Sequence, residues 1–239
     1  METTHDTLFG GALSLRQPAR KTGYRVNVDA LLLAQFAGAG RRVKHAVDLG
    51  SGVGAVGLSL LHLGSAHRVT MVELDPGLAR LAQANVIENG WEPRASVLNL
   101  DVRALPDDLS AELVVCNPPY VPPGRGRVPN AAVRGAKYGD LAHFIEAARA
   151  VLGRRARVAF VYPAIEAITL LSQLRAAGLE PKRLRAVHGR ASDVARVVLV
   201  EAVAGKPGGL AIEPPFIETE GGQRSPELAA LLARPRVDG

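Results

Sequence analysis

The apolar run Ala46-Val47-Asp48-Leu49 passes directly into Gly50-Ser51-Gly52-Val53-Gly54 and then into a helical pattern over residues 53–63. A strand that turns through glycines into a helix constrains the fold more than any other segment. Glycine tolerates the sharp turn and leaves the backbone open to a ligand, as in doubly wound α/β sheets. From His45 onward short apolar runs alternate with helical stretches, which predicts a parallel sheet covered on both faces. Residues 69–74 read as the second strand. Pro76 opens a helix at its favoured first-turn position, and Gly90 stops it near residue 89. Residues 96–100 and 112–116 follow as the third and fourth strands. Asp140 is placed to cap a helix reaching residue 152, and residues 157–162 form a fifth strand. After a helix over 164–177, stopped by Gly178, residues 182–187 and 194–202 pair antiparallel as a late hairpin.

Two acidic residues mark the ends of the first two strands. Asp48 precedes the glycines, and Gly50, Gly52 and Gly54 admit a ligand without Cβ obstruction. Glu73 ends the second strand, where a carboxylate can accept both hydroxyls of a ribose. Residues 52–57 also spell G-x-G-x-x-G with Glu73 about twenty residues on, the spacing of a dinucleotide site. Asp48 separates the two readings, because its charge repels a pyrophosphate and attracts the cationic methionine end of S-adenosyl-L-methionine. Asp101, expected at the end of the third strand, either accepts from the adenine amine of that cofactor or caps its loop. These residues together resemble the class I S-adenosylmethionine-dependent methyltransferases over residues 46–203. The resemblance implies an α/β, doubly wound, seven-stranded Rossmann-like sheet with a C-terminal antiparallel hairpin, which the two late strands supply.

At the end of the fourth strand stands Asn117-Pro118-Pro119-Tyr120. Successive prolines fix the backbone and remove two donors, so the carbonyls there are acceptors. The Asn117 carboxamide oxygen and the Pro118 carbonyl can accept from a substrate NH2 group and localise its lone pair. Tyr120 offers a flat face for stacking. The chemistry that fits is methyl transfer to a planar, weakly nucleophilic nitrogen, with alignment and lone-pair localisation as the source of acceleration. The motif resembles that of amino-methyltransferases acting on adenine N6, on guanine N2 of ribosomal RNA and on the glutamine of release factors. It therefore names the chemistry and leaves the substrate open.

The chain of 239 residues is 47% hydrophobic with a formal net charge of +6, most of it arginine, which points to a polyanionic partner. Arg125 and Arg127 follow Tyr120 closely, with Arg134 and Lys137 beyond, and suit the phosphates that flank a flipped-out base. Pro119 belongs to the same substrate-facing run. Arg16, Arg20, Lys21 and Arg25 offer a second anchor. No stretch is long and apolar enough to span a bilayer, and residues 1–16 lack the order of a secretory signal. A single cysteine, Cys116, excludes an intramolecular disulfide and reads as a packed thiol in a reducing cytoplasm. The six histidines show no metal-ligand spacing, so no metal is expected. Trp91 reads as packing rather than as a base-stacking platform.

Residues 21–34, preceded by Leu8-Phe9-Gly10-Gly11 and Gln17-Pro18, look like the N-terminal segment of bacterial valine-tRNA adenine-N6 methyltransferases. That resemblance implies that the segment folds over the cofactor, with Asp29 among the cofactor-binding residues, and that the substrate is RNA, most simply tRNA. The expected organisation is an N-terminal extension over 1–44, a methyltransferase core over 45–204 and a tail over 205–239. Residues 8–20 are irregular or hairpin-like, residues 29–37 form a short apolar helix, and the tail carries a small strand near 210–212 and a helix over 227–233. Glutamine N5-methylation of a release factor, guanine-N2 methylation of RNA, a non-catalytic cofactor-binding scaffold and a nicotinamide oxidoreductase are the alternatives. About forty irregular residues make a poor grip for a release factor.

Overall fold

The computed structural model describes residues 2–19, 28–39, 42–119 and 141–237. β1 (Thr3–Leu8) and β2 (Leu13–Pro18) form an antiparallel hairpin around a 3-10 turn at Phe9–Gly11. The chain then alternates as α1 (Val28–Gly38), β3 (Val43–Leu49), α2 (Ala55–His62), β4 (Ala66–Val72), α3 (Pro76–Glu88), β5 (Ala95–Leu98) and β6 (Ala111–Cys116). After residue 140 come α4 (Leu141–Val151), β7 (Leu152–Pro163), α5 (Ala167–Ala176), β8 (Leu179–His188) and β9 (Ala195–Ala204). The tail holds β10 (Ala211–Ile212), β11 (Phe216–Ile217), β12 (Thr219–Glu220), β13 (Gln223–Arg224) and α6 (Pro226–Leu232).

The main sheet runs β10-β8-β9-β7-β6-β3-β4-β5, with β11 also on β8, nine strands in all. Strands β3 to β7 pair parallel, while β9 runs antiparallel to both β7 and β8. The seven expected strands are all present, and two dipeptide strands of the tail extend the β8 edge in parallel. The chain leaves β3 toward β4 on one side and returns to β6 on the other. The carboxyl ends of β3 and β6 are thus the switch point where open α/β sheets bind ligands.

Successive strand residues face opposite layers, so each central strand is an apolar run. Ala46, Met71 and Val115 pack beneath α1 and α2 in one cluster, while Val47, Val72 and Cys116 pack beneath α4 and α5 in the other. Helix α1 is apolar around its circumference because it lies buried, including Leu31, Leu32 and Leu33. Helix α3 starts where its sequence says it should. The Asp75 carboxylate accepts from the N–H groups of Gly77 and Leu78 at 2.7 and 3.0 Å, Pro76 occupies the first turn, and Gly90 (φ +68°) ends it.

The N-terminal hairpin is tied to α3 by two carboxamides one turn apart. Asn85 and Asn89 accept from the N–H groups of Arg16 and Ser14 at 2.7 and 2.9 Å and donate back to their carbonyls at 3.0 and 2.8 Å. Two side chains thereby stand in for a neighbouring strand, satisfying the edge of β2. The tail crosses back over the α1–α3 face. His62 Nε2 donates to the Arg234 carbonyl at 2.9 Å, Val237 N–H donates to the His62 carbonyl at 2.9 Å, and Phe9 stacks on His62 at 4.1 Å. Trp91 is buried and packs under Arg236, whose guanidinium lies 3.8 Å from the ring centroid.

Candidate active site

In the register of β3 against β6, Leu49 is the partner of Cys116. The glycine turn beginning at Gly50 and the run beginning at Asn117 therefore leave the sheet side by side, at its carboxyl edge. Gly50 and Ser51 both donate to the Val72 carbonyl, at 2.9 and 3.0 Å, which folds the turn across the end of β4. Gly50, Gly52 and Gly54 have φ of +69°, +58° and +88°, values that favour glycine. A Cβ on Gly50 would come within 2.9 Å of Phe144 on α4, and one on Gly54 within 2.8 Å of the Met71 sulfur. A Cβ on Gly52 would meet nothing within 4 Å, so this glycine has open space before it.

Asp48 is buried, and its carboxylate accepts from the Gly57 N–H at 2.9 Å. Helix α2 has no side-chain cap at Gly54, so Asp48 supplies one from the neighbouring strand. Burial pushes the Asp48 carboxyl up to about 7, the Gly57 bond opposes that rise, and the charge of Glu73 adds to it. Glu73 is also buried and accepts from the N–H groups of Gly52 and Asp75, each at 2.8 Å. Burial raises its pKa against those two bonds. Cys116 lies between the layers, and burial followed by the nearby Asp48 charge raises its thiol well above the usual range. It stays a protonated, packed side chain.

Asp101 sits three residues beyond β5 rather than at its end, because the strand stops at Leu98. Asn99 there turns its carboxamide to the carbonyls of Glu73 and Leu74, at 2.8 and 3.0 Å. The Asp101 carboxylate caps a 3-10 turn through the Arg103 N–H at 2.9 Å and takes the Arg103 guanidinium at 3.0 and 2.6 Å. Arg103 thereby holds the carboxyl down at about 2. Loop capping, one of the two roles open for Asp101, is what these contacts describe.

Asp29 opens α1 and is buried against Arg196 of β9, with 2.6 Å between Oδ1 and Nη2. Arg196 also meets Glu218 at 2.6 Å. Burial works against the Arg196 charge, yet the hydrogen bonds from Asp29 and Glu218 raise its pKa overall. Arg196 is the second residue of β9, next to the Val197 that pairs with Pro163 at the end of β7, so this ion pair stands at the same carboxyl edge as the glycine turn.

Asn117 is half-buried, Pro118 buried and Pro119 exposed. The Asn117 side chain makes no hydrogen bond among the described residues. Tyr120, Arg125, Arg127, Arg134, Lys137 and Asp140 lie outside the described residues, as do Arg20, Lys21 and Arg25. Arg16 is exposed, and its guanidinium meets Glu88 at 2.7 Å.

Besides Arg196, three groups at the site carried no local sequence signal. Ser51 Oγ is buried without a hydrogen-bond partner among the described residues. Asn85 bridges the Val53 carbonyl at 2.9 Å to the N-terminal hairpin. Phe144 closes on Gly50 from another layer. A buried hydroxyl without a partner costs ~1–3 kcal/mol, so Ser51 is an unmet donor and acceptor beside an open glycine. Among the described residues no group of three or more His, Cys, Asp or Glu side chains could hold a metal, and no helix is long and apolar enough to cross a membrane.

The model of the methyltransferase small domain family matches residues 27–162. The chain is 35% identical over 103 residues to the tRNA1(Val) (adenine(37)-N6)-methyltransferase of Pectobacterium carotovorum, covering 42% of this chain but only 41% of that relative. The enzyme of the same name from Edwardsiella ictaluri is 29% identical over 181 residues, 74% of this chain and 72% of the relative. Among solved structures, a predicted O-methyltransferase of Agrobacterium tumefaciens superposes with a TM-score of 0.69 at 24% identity, over 85% of this chain and 94% of that one. The last likeness concerns the fold.

Proposed function

Because this chain belongs to the methyltransferase small domain family, a family of S-adenosylmethionine-dependent enzymes, we propose that it methylates the exocyclic N6 amine of adenine in RNA, and in tRNA specifically. The observation that carries the reading is the register that brings Asn117 beside the glycine turn, with a carboxamide that makes no hydrogen bond among the described residues. The relatives named as tRNA adenine-N6 methyltransferases support the substrate.

The residues present fit the cofactor. Glu73 oxygens keep lone pairs for ribose hydroxyls beyond the two amides they already accept from. Asp48 provides a buried negative charge for the cationic methionine end, and the open Gly52 and the unmet Ser51 hydroxyl stand on the turn that follows it. Asp29, paired with Arg196, and Asp101, whose oxygens keep lone pairs beyond the bonds from Arg103, are assigned to the same site. When bound, S-adenosylmethionine supplies a methyl group on a positively charged sulfur.

Asn117 and the Pro118 carbonyl accept from the substrate NH2 and turn its lone pair out of the ring system. Tyr120 stacks on the base, and Pro119, Arg125 and Arg127 border the strand on either side. Loss of the amine proton to solvent follows alkylation, so no protein base is required. Residues 1–44 act as the extension over the cofactor, 45–204 as the core and 205–239 as the tail, in an enzyme of the cytoplasm, where the lone thiol of Cys116 stays reduced.

The test incubates the protein with methyl-labelled S-adenosylmethionine and either unmodified total tRNA or purified release factor. N6-methyladenosine in the tRNA digest is the expected product. Label confined to a release-factor glutamine, or to N2-methylguanosine, overturns the adenine reading.

A further inference from the structure

The opposite, amino edge of the sheet carries a polar groove of about 210 Å³, open to solvent, on the face that α4 and α5 cover elsewhere. Its floor is a closed hydrogen-bond chain from three adjacent strands. His45 joins the Ser110 carbonyl at 2.8 Å and the Thr70 hydroxyl at 2.9 Å, and Thr70 meets Ser96 at 3.2 Å. The rim is arginine. Arg68 is the register partner of His45 and points to the same face, and Arg94 precedes β5. Arg94 is fixed by the carbonyls of His67 and Ala66, at 2.8 and 3.1 Å, and by the Trp91 ring at 5.0 Å.

The residues that line the groove carry more positive than negative charge, Arg68 and Arg94 against Glu92. Burial lowers the Arg94 pKa, and the positive charges of Arg42 and Arg236 lower it further, so both act on Arg94 from nearby. Glu92 is the one carboxylate lining the groove. Arg42 and Arg68 are exposed and make no ion pair among the described residues. Like charges left together on one surface mark a place where a polyanion supplies the missing charge. The floor's polar groups are already satisfied by each other, so the groove offers charge to a backbone rather than a fitted pocket to a small molecule.

We propose that this amino-edge groove is a second docking site for the phosphate backbone of the RNA substrate. The proposal rests on the RNA reading above. A strand of this sheet separates the groove from the crevice by roughly 20 Å, within reach of a folded RNA. The site would favour structured RNA over a short loop, since both edges must be engaged at once.

The test is the double variant Arg42→Ala/Arg68→Ala, which leaves Arg94 and its carbonyl bonds intact. Tm and affinity for S-adenosylhomocysteine report that fold and cofactor site are kept. Binding of total tRNA is then measured by fluorescence anisotropy from low to moderate salt, alongside steady-state methylation. The expected result is about tenfold weaker tRNA binding at low salt and a log–log salt slope flatter by about two units. KM for tRNA rises correspondingly and kcat stays near wild type. Wild-type affinity and slope in the variant overturn the groove while leaving the enzyme's function standing. If instead the wild type binds tRNA through these arginines yet methylates only a protein, the groove stands and the adenine reading falls. A protein that binds no tRNA at any salt overturns both.

Discussion

Glu73 Oε2 accepts a hydrogen bond of 2.8 Å from the Gly52 N–H, so one carboxylate joins the end of β4 to the turn after β3. Its second oxygen holds the Asp75 N–H at 2.8 Å, the residue that caps α3. Asp48 does the equivalent for α2 through Gly57. Each acid thus orders the backbone next to it before any ligand arrives, at the expense of burying a charge. That arrangement preorganises the ligand site, because the donors and acceptors are fixed in advance.

Glu73→Ala removes both amide bonds and the ribose acceptor, and Glu73→Gln sets an NH2 against a backbone N–H. Both are expected to weaken S-adenosylhomocysteine binding about tenfold or more, the scale of a lost charged hydrogen bond. Isothermal titration calorimetry reads this directly. An alanine variant with wild-type affinity would remove Glu73 from the cofactor site.

Asp48 makes both stability and binding depend on pH. Its folded pKa of about 7 lies above the ordinary value of 3.8. Its contribution to stability is therefore fully present below pH about 4 and is lost as pH rises through about 7. Asp48→Asn should flatten that part of the Tm–pH curve. Binding runs the other way, since a cationic ligand favours the ionised carboxylate. S-adenosylmethionine affinity should rise between pH 6 and 8, by up to about tenfold per unit below the pKa. Affinity independent of pH across this range would separate Asp48 from the cationic end of the ligand.

The sheet and its helices were readable because both-face-buried strands must be apolar runs and the helices carry their own stops, as Asp75, Pro76 and Gly90 show for α3. Boundaries were less readable where a distant group decides them. β5 ends at Leu98 because Asn99 bonds to carbonyls of the neighbouring strand's end, so Asp101 falls in a loop. β7 begins at Leu152, through Gly153 and an Arg155 with φ +61°, a stretch with no strand-like pattern. The residues missed at the site, Arg196 and Asn85, act on partners far away in sequence, Asp29 and Arg16. Periodicity carries no trace of such pairs. Ser51 was hidden by the glycines around it, and its unmet hydroxyl is visible only once burial is known.

His62 gives the tail's attachment a pH dependence of opposite sign. It is buried, its Nε2 serves the Arg234 carbonyl, and its Nδ1 is without a partner among the described residues. Burial lowers its pKa, the Arg234 carbonyl opposes this, and the Arg236 charge adds to it. A depressed histidine contributes stability above the ordinary value of 6.5 and loses it as pH falls through the folded pKa. Tm should therefore decline below pH about 6.5, and limited proteolysis should first release the segment after residue 225. His62→Gln should remove this acid limb, and an identical limb in the variant assigns it elsewhere.

Arg196→Ala removes the guanidinium that lies 2.6 Å from the buried Asp29 carboxylate. A Tm drop of roughly 2–4 °C per kcal/mol lost is expected for a chain of this size. Adding Asp29→Asn should recover part of the loss by removing a buried charge that no longer faces Arg196. Additive losses in the double variant would show that the two side chains do not depend on each other.

Asn117→Ala separates substrate chemistry from cofactor binding. Asn117 continues β6 past Cys116, beside the turn that follows Leu49, and its carboxamide makes no hydrogen bond among the described residues. No bond holding the fold is lost with it, so Tm and S-adenosylhomocysteine affinity should stay near wild type. Turnover should fall by about a hundredfold or more, the scale of removing a hydrogen bond made to the reacting group in the transition state. A fall in kcat with KM for tRNA little changed marks that role. Asn117→Asp tests it further: its carboxylate still accepts from the amine, so it should retain more activity than alanine, and more still at a pH where it is ionised. An alanine variant that methylates at the wild-type rate takes the central residue out of the mechanism.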